Sequence, residues 1–388
     1  MSTELDLLIA TRRDLHRHPE IGFEEHRTSG IAAERLRAAG YDVRTEVAVT
    51  GVVGTLRGGA GPGPTLILRA DMDALPVQEE VSHDYASTVP GKMHACGHDA
   101  HVAIGLAVAE RLARRRDEFA GEVRYVFQPA EEGLGGARRM IEEGVLDGVD
   151  AALGLHIWTG LPSGVVGVVD GPQMAGSQEF RILVKGRGGH AAMPHQTVDA
   201  TLVASHIVIA LQSIVARSVP PTEAAVVTIG ALHSGTAMNV ISDSAVLEGT
   251  MRAFDTSIQE LLRRRVAEIA RGVAAAHDAE VEIDFNQLIF PPTVNDPGLA
   301  ALIRRTTSDL VGSDVVRSDG DVRTMAAEDF AEFGVRVPAC YFFLGAYSEE
   351  SGATHPHHSP HFNICEKVLP LGVDILEAAA VAYLTPSA

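Results

Sequence analysis

The fold class is indicated by residues 122–158, EVRYVFQPAEEGLGGARRMIEEGVLDGVDAALGLHIW. This stretch begins with a short apolar run, EVRYVF, continues through a helical pattern over Gly135–Val145, and ends in a second apolar run, DAALGLHIW. Two strands joined by a helix form a βαβ unit, in which the strands lie parallel in one sheet. The stretch therefore predicts an α/β domain with a buried, mostly parallel sheet.

The same alternation extends on both sides of this unit. Upstream, helical patterns over residues 5–15 and Glu25–Ala39 precede the strand-like runs YDVRTEV, GVVGTL and TLILRAD and a helix over His98–Arg116. Downstream, a helix over Gly298–Leu310, the run CYFFLGA and a last helix near Val368–Tyr383 continue it. Strands that alternate with long helices predict a parallel sheet flanked by helices. Such sheets carry their reactive side chains at the carboxyl ends of the strands.

A block with a different order of predicted strands and helices begins after Gly171-Pro172. Its order is strand, helix, strand, strand, helix, strand, over Glu179–Lys185, Val198–Ala216, Ala225–Leu232, Ser244–Ala253, Ser257–Ala276 and Glu280–Phe285. That order is typical of the split βαβ, ferredoxin-like α+β unit. We therefore expect one domain built from residues 1–175 and 289–388, with a second domain, residues 176–288, inserted into it.

Composition narrows the class of protein. Of the 388 residues, 46% are hydrophobic, which is enough for a large core and excludes wholesale disorder. The formal net charge is −19, whereas nucleic-acid-binding proteins are typically basic, so the composition excludes a typical nucleic-acid binder. Three cysteines cannot form a disulfide framework in so long a chain, and the N-terminus has no signal-peptide pattern. The longest apolar stretch, Val198–Ala216, is interrupted by polar residues. We expect a cytoplasmic protein without nucleic-acid or membrane partners.

The densest group of reactive side chains is MHACGHDAH, residues 93–101. Cys96 and His98 straddle a glycine, so both side chains can turn toward one point. A thiolate and an imidazole suit a borderline divalent ion such as Zn²⁺, Mn²⁺, Co²⁺ or Ni²⁺. An isolated Cys-x-His pair is more often a buried cysteine beside surface histidines, so this group needs support from others.

Adjacent carboxylates supply the first support. Glu131 and Glu132 follow the strand EVRYVF directly and point in different directions. One of them can ligate a metal while the other moves protons, which is the division that hydrolysis by activated water requires. By itself a Glu-Glu pair before glycine is more often a solvated turn.

Other groups follow the remaining strands. His156 ends the apolar run LGLHIW, and THPHHSPHF, residues 354–362, is rich in histidine. In RADMDALP, Asp71 and Asp73 are candidate hydrogen-bond partners for ligating imidazoles. Each signal is weak alone, but together they converge on one edge of the sheet. Five or more ligands exceed one tetrahedral ion and indicate two metal ions about 3.5–4 Å apart.

These segments resemble one known group of enzymes. The group is the di-metal amidohydrolases that include hippurate hydrolase, indole-acetyl-amino-acid hydrolases and N-acyl-amino-acid deacetylases, within the aminoacylase and carboxypeptidase superfamily of metallopeptidases. The resemblance runs from RRDLHRHPEIGFEE (Arg12–Glu25) to HHSPHFNICE (His357–Glu366). Between them it includes RADMDALP, MHACGHDAH, FQPAEEG, LGLHIW, KGRGGHAAMPH and GTAMNVISDSAVLEGTMRAF.

The resemblance implies a set of metal ligands. They are Cys96, which would bridge two divalent ions (Zn, Mn, Co or Ni), with His98, Glu132, His156 and His358. Glu131 would be the general base. In the C-terminal group His358 is chosen over His357 because it stands two residues before Pro360, as the family's histidine does.

It also implies a role for the inserted domain, as a lid that commonly mediates dimers. His190, in KGRGGHAAMPH, would reach an active site, often that of the partner subunit, and stabilise the oxyanion. Asn239 and Arg252 match positions that contact the carboxylate end of the substrate. From the residues alone, His190 is equally typical of an ordinary loop and Arg252 of an exposed strand position. We expect a homodimer formed through this domain.

The expected activity is metal-dependent hydrolysis of the amide bond of N-acyl amino acids (hippurate-like, indole-acetyl- or N-acetyl-amino acids). A dipeptidase or aminoacylase of the same superfamily is the nearest alternative. In a second alternative Cys96 is a nucleophile activated by His98, with Glu131 orienting the base. In a third the protein binds a small ligand without catalysis.

Overall fold

The computed structural model describes residues 4–385. In that range the strands, β1 to β16 in chain order, are Asp42–Val47, Gly51–Arg57, Thr65–Asp71, Glu122–Gln128, Ala151–Pro162, Val166–Gly167, Gly171–Met174, Gly176–Lys185, Gly189–His190, Ala225–Ser234, Val240–Ile241, Ser244–Ala253, Glu280–Phe290, Thr293–Asn295, Val316–Arg317 and Ala339–Tyr347. The α-helices, α1 to α10, are Glu4–Arg17, His26–Ala38, His98–Arg114, Gly136–Glu142, Ala200–Leu211, Ser213–Arg217, Thr256–Ala276, Pro297–Val311, Ala331–Gly334 and Leu369–Leu384.

The chain divides into two compact units. The first comprises the described residues up to Gln173, Val294–Arg323 and those from Asp329 onward. The second comprises Met174–Thr293 with Thr324–Glu328. The boundaries expected for folding domains, at 175/176 and 288/289, stay a prediction about which segments fold as units.

The first unit is built on an eight-stranded sheet in the order β1-β2-β4-β3-β5-β16-β6-β15. Its central strands β4, β3, β5 and β16 are parallel, whereas β1, β2 and β6 pair antiparallel with their inner neighbours. Helix α3 packs against β3 and against helices α1 and α10. Because α3 is covered on all sides, most of its residues are buried and apolar. The predicted α/β class, a mostly parallel sheet flanked by helices, is confirmed.

The register of the sheet places the ends of β3 and β4 level with a residue inside β5. Asp71 of β3 lies opposite Gln128 of β4, and Arg69 lies opposite Gly154 of β5. Two residues beyond Gly154, His156 is therefore level with Asp71. The expectation that His156 ends its strand is wrong, because β5 continues to Pro162 by pairing with β16 across an irregularity near Gly345. His156 nevertheless lies at the carboxyl edge of β3 and β4.

The second unit has the predicted order of elements. Its four-stranded sheet, β10-β12-β8-β13, is antiparallel throughout, with α5 and α7 packed against it. The single helix predicted over Val198–Ala216 is two helices that meet at Gln212. Helix α5 begins at Ala200 because the Asp199 carboxylate accepts hydrogen bonds from the main-chain N–H groups that follow.

One segment of this unit, Ala200–Arg217, is long and apolar enough to cross a membrane by length and composition alone. Part of its apolar character has a local explanation, since 33% of the segment is buried. Val203, Ala204, Ile207 and Leu211 are buried in the core of the unit, together with residues of the sheet. Core helices commonly pass such a test, so the segment is weak support for a membrane span.

Candidate metal centre

The first group of candidate ligands forms where α3 begins. Gly97 caps this helix in the left-handed region, at φ 92°, and separates the side chains of Cys96 and His98. His98 Nδ1 donates a hydrogen bond to the main-chain oxygen of Asp73 at 2.9 Å. This fixes the ring and leaves its buried Nε2 without a hydrogen-bond partner. A buried, unpaired ring nitrogen is what a metal-ligating histidine presents before the metal binds.

His156 completes this group from β5. Its Nδ1 donates to the main-chain oxygen of Ile157 at 2.6 Å, and its Nε2 lies 3.5 Å from Cys96 Sγ. The ligand atoms of Cys96, His98 and His156 all lie within 4.8 Å of one another. The three buried side chains are therefore close enough to share one cation.

A second group uses the same cysteine. The ligand atoms of Cys96, Glu132 and His358 also lie within 4.8 Å of one another, and His358 Nε2 is 3.3 Å from Glu132 Oε1. The main-chain N–H of Glu132 donates to Asp73 Oδ2 at 2.9 Å, which fixes the main chain from which the Glu132 side chain extends. Cys96 thus belongs to both groups, in the position that a ligand bridging two ions requires.

Glu131 lies beside both groups. It comes within 4.8 Å of ligand atoms of His98 and Glu132 and is only 7% exposed. The main-chain N–H of Asp329 donates to Glu131 Oε1 at 3.4 Å. A carboxylate held next to a candidate metal site, without being needed as a ligand in either group, is suited to proton transfer.

The turn that carries Glu131 is held by a residue that the sequence did not single out. Ala130 adopts φ 56°, and its N–H donates to Glu25 Oε1 at 2.8 Å. The Thr50 hydroxyl donates to the other oxygen of Glu25 at 2.5 Å. Burial raises the pKa of Glu25 to about 7. The sequence pattern predicts Glu25 as the first residue of a helix, and nothing in its neighbours indicates a contact with residue 130.

Electrostatics favour a cation at this centre. Burial raises the pKa of the Cys96 thiol, and the carboxylates of Glu132, Glu131 and Asp71 raise it further. Burial opposes protonation of His98, but Asp71 and Asp73 outweigh it and raise the pKa of His98 to about 10. A divalent cation would offset the crowded negative charge and stabilise the thiolate and the neutral imidazole that act as ligands. The sulfur, nitrogen and oxygen donors fit such an ion.

Asp71 and His101 lie next to the candidate ligands and are hydrogen-bonded to each other. His101 Nδ1 donates to Asp71 Oδ1 at 2.5 Å, and His101 Nε2 accepts from the Ile157 N–H at 2.9 Å. Since both ring nitrogens are engaged, His101 is a poor ligand although it lies near His98. Of the two predicted carboxylate partners, Asp73 accepts from His98 through its main-chain oxygen rather than its carboxylate, and Asp71 accepts from His101, which is not among the predicted ligands. That Asp71 and Asp73 orient ligating imidazoles through their carboxylates stays a prediction.

His357 lies as close to the centre as His358 does. Its Nδ1 is 3.8 Å from Cys96 Sγ, and its Nε2 accepts from the main-chain N–H of Thr159 at 3.1 Å. The ring stacks on Trp158, with 4.7 Å between the ring centres. Because Nε2 accepts a hydrogen bond, the proton of the neutral His357 ring lies on Nδ1, the nitrogen that faces Cys96, so His357 is the poorer ligand of the two. The choice of His358 stays a prediction.

The remaining candidate residues lie in the second unit. His190 pairs with Val240, and the main-chain oxygen of Asn239 accepts from the Ala191 N–H at 3.1 Å, so His190 and Asn239 are neighbours with exposed side chains. Arg252 is partly buried and donates to the main-chain oxygen of Met325 at 3.0 Å. Their roles toward a substrate stay predictions.

The chain is similar to known proteins in both sequence and structure. A sequence profile described as peptidase family M20/M25/M40 matches residues 67–382. Thermostable carboxypeptidase 1 of Saccharolobus solfataricus is 41% identical over 95% of this chain and 93% of its own. IAA-amino acid hydrolase ILR1-like 4 of Arabidopsis thaliana is 39% identical, with coverages of 98% and 86%. The crystal structure of Bacillus subtilis YXEP, described as a dinuclear metal binding peptidase from the M20 family, superimposes with a TM-score of 0.85 at 33% identity, covering 98% of each chain.

Proposed function

The chain belongs to peptidase family M20/M25/M40, and its relatives in that family hydrolyse amides of amino acids. We therefore propose that it is a metal-dependent amidohydrolase of N-acyl amino acids. The observation that carries the proposal is the sharing of Cys96 by two ligand groups, one with His98 and His156 and one with Glu132 and His358. Two divalent ions held by these five residues fit the unpaired His98 Nε2 and the mixed sulfur, nitrogen and oxygen donors.

When bound, such ions supply a lowered pKa for water and polarisation of the amide carbonyl. Proton transfer is carried out by a residue of the chain itself. Glu131 accepts the proton of the attacking water and later returns it to the departing amine nitrogen, so that an amino acid leaves. Its burial beside the ligands keeps the proton transfer within the site.

The second unit contributes to substrate binding. His190 donates to the oxyanion as the carbonyl carbon becomes tetrahedral. Asn239 and Arg252 bind the carboxylate of the amino-acid part. A lid that carries such residues closes over the substrate and commits it to reaction. The enzyme acts in the cytoplasm as a homodimer formed through this unit.

A peptide substrate is the second candidate, because one relative at 41% identity is named a carboxypeptidase. A peptide bond and an N-acyl bond are both amides that end in an amino acid. The same ligands and the same base serve either substrate. The two candidates differ in what occupies the acyl side.

The test is a substrate screen on metal-free enzyme reconstituted separately with Zn, Mn, Co and Ni. N-acyl amino acids are varied first in the acyl part and then in the amino-acid part, with dipeptides and C-terminally extended peptides alongside. We expect activity on N-acyl amino acids that is lost with a chelator and restored by metal. Preference for peptides would support the second candidate. Turnover that survives chelation but is lost on thiol alkylation would refute metal-dependent hydrolysis and favour a cysteine nucleophile.

A further inference from the structure

We propose that His357 donates a hydrogen bond from Nδ1 to the Cys96 sulfur and so sets the donor strength of the thiolate shared by the two ligand groups. His357 is then a positioning residue for the centre rather than a ligand. The inference rests on the proposed function, since it concerns a thiolate that binds metal.

The position of the ring proton follows from Thr159. The main-chain N–H of Thr159 lies 3.1 Å from His357 Nε2, and a main-chain N–H can only donate. Nε2 must therefore carry a lone pair. In a neutral imidazole the single proton is then on Nδ1, the atom that faces Cys96 Sγ at 3.8 Å. Sulfur is large and diffuse, and its hydrogen bonds are correspondingly long.

The ring has little freedom to turn away. It stacks on Trp158 on one side, at 4.7 Å between ring centres and 26° between planes, and packs against Phe362 at 4.9 Å. Cys96 is fixed in turn by the left-handed Gly97 at the start of α3. A donor and an acceptor that are both held in place form a hydrogen bond at little further entropic cost.

The bond has a consequence for the metal centre. A thiolate that accepts a hydrogen bond shares less charge with its metal than one that does not, as hydrogen bonds to ligating sulfur do in iron–sulfur and copper sites. Because Cys96 belongs to both groups, a single N–H modulates both ions. With ions bound, His357 would keep them more electron-poor and better able to polarise an amide carbonyl.

Three substitutions separate the contacts of the ring. His357→Asn carries an amide N–H near the Nδ1 position and retains a donor to sulfur. His357→Gln carries its amide oxygen near the Nε2 position and retains the acceptor for Thr159, but loses the donor to sulfur. His357→Phe retains the stack on Trp158 and loses both polar contacts.

The experiment is absorption spectroscopy of the cobalt-loaded enzyme, read at the sulfur-to-cobalt charge-transfer band. Loss of a hydrogen bond raises the energy of the sulfur electrons, so we expect the band to move to longer wavelength in His357→Gln and His357→Phe and to stay near the wild-type position in His357→Asn. An unmoved band in His357→Gln would overturn the inference. A shift of equal size in all three variants would also overturn it, because the loss of the ring itself would then be the cause.

Cys96→Ser separates failure of the inference from failure of the proposed function. The band must be present in the wild type and absent from Cys96→Ser, with the cobalt content of each protein measured beside the spectrum. Absence of the band from the cobalt-loaded wild type would refute Cys96 as a ligand, and the inference with it. A band that requires Cys96 but does not move when His357 is substituted would refute the inference and leave the proposed function standing.

Discussion

The placement of Cys96, the proposed shared ligand, depends on Gly97. Its φ of 92° lies in the region that costs a residue with a side chain about 1–2 kcal/mol. A Cβ at this position would meet only ordinary contacts, the nearest being Ile157 at 3.6 Å. The requirement for glycine is therefore conformational rather than steric. The turn lets Cys96 and His98, two residues apart, direct their ligand atoms to one point.

Glu131 and Glu132 are adjacent but are expected to respond differently to the same substitution. Glu131→Gln removes the proton acceptor and retains both ligand groups, so we predict full metal content and a loss of turnover of about 10²–10⁴-fold or more. Glu132→Gln weakens a proposed ligand, so we expect bound metal to fall together with activity. Elemental analysis of the two dialysed proteins, alongside their initial rates, checks both statements.

Glu142→Gln, on an exposed position of α4, is the matched control and is expected to change neither quantity. Near-normal turnover in Glu131→Gln would remove Glu131 from the mechanism. Loss of metal from Glu131→Gln would assign it to the ligands instead.

At this scale the sequence predicts what lies close along the chain. The Cys96–His98 and Glu131–Glu132 pairs are neighbours in sequence, and each follows a strand pattern or begins a helix pattern. Contacts between distant segments carry no such signal. The hydrogen bond from Ala130 to Glu25 spans 105 positions, and the approach of His357 to Cys96 spans 261. Both depend on tertiary packing that no local pattern encodes.

At the scale of elements, a buried ion pair ties α1 to α3. Arg12 Nε lies 2.8 Å from Asp99 Oδ2, and both side chains are fully buried. His16, one turn along α1, donates from Nδ1 to the same carboxylate oxygen at 2.7 Å. Asp99 directly follows His98, so this contact also anchors the turn that presents the ligands.

Asp99→Asn is predicted to destabilise the first unit. It leaves the buried charge of Arg12 without its main partner, and such a loss typically costs about 3–5 kcal/mol. Glu366, 3.3 Å from Arg12, compensates in part, so we expect the lower end of that range. Urea unfolding, followed by circular dichroism, measures the change in midpoint. Glu268→Gln, which removes two surface ion pairs on α7, with Arg264 and Arg265, is the control and should leave the midpoint nearly unchanged. Equal midpoints for Asp99→Asn and wild type would contradict the account.

His16 gives the first unit a stability that depends on pH. Burial and Arg12 disfavour the charged ring, but Asp99 and Glu79 outweigh them and raise the pKa of His16 above its unfolded value of about 6.5. A raised pKa in the folded state adds stability that is fully present below the unfolded pKa and is lost as pH rises through the folded pKa.

We therefore predict that wild type exceeds His16→Gln in free energy of unfolding by more at pH 6 than at pH 9. Paired urea titrations of the two proteins at each pH give the difference directly. A difference that grows toward pH 9 would mean that the ring is neutral in the folded protein.

Elements are predicted well where hydrophobic periodicity is strong. The order of the second unit and the start of α3 at His98 follow from the pattern. The end of β5 does not, because its last residues pair with β16, nearly two hundred positions away. The break between α5 and α6 is likewise absent from the pattern, since the apolar residues continue through it.

At the scale of the whole molecule, the prediction is a homodimer in which His190 serves the active site of the other subunit. Light scattering is expected to give twice the mass of one chain. Glu131→Gln and His190→Ala are each expected to be nearly inactive alone. When the two proteins are mixed and allowed to exchange subunits, a site with an intact Glu131 and the partner's intact His190 is formed, and activity is partly recovered. A fully active monomer, or no recovery despite exchange, would rule out action of His190 between subunits.

The proposed function depends on two cations bound on either side of one sulfur. A crystal grown with saturating Mn²⁺ or Zn²⁺, and measured at the absorption edge of that metal, locates such ions by their anomalous scattering. We predict two peaks about 3.5–4 Å apart, both bound to Cys96 Sγ, one also to His98 and His156 and the other to Glu132 and His358. A single peak, or peaks away from Cys96, would contradict the two-metal centre.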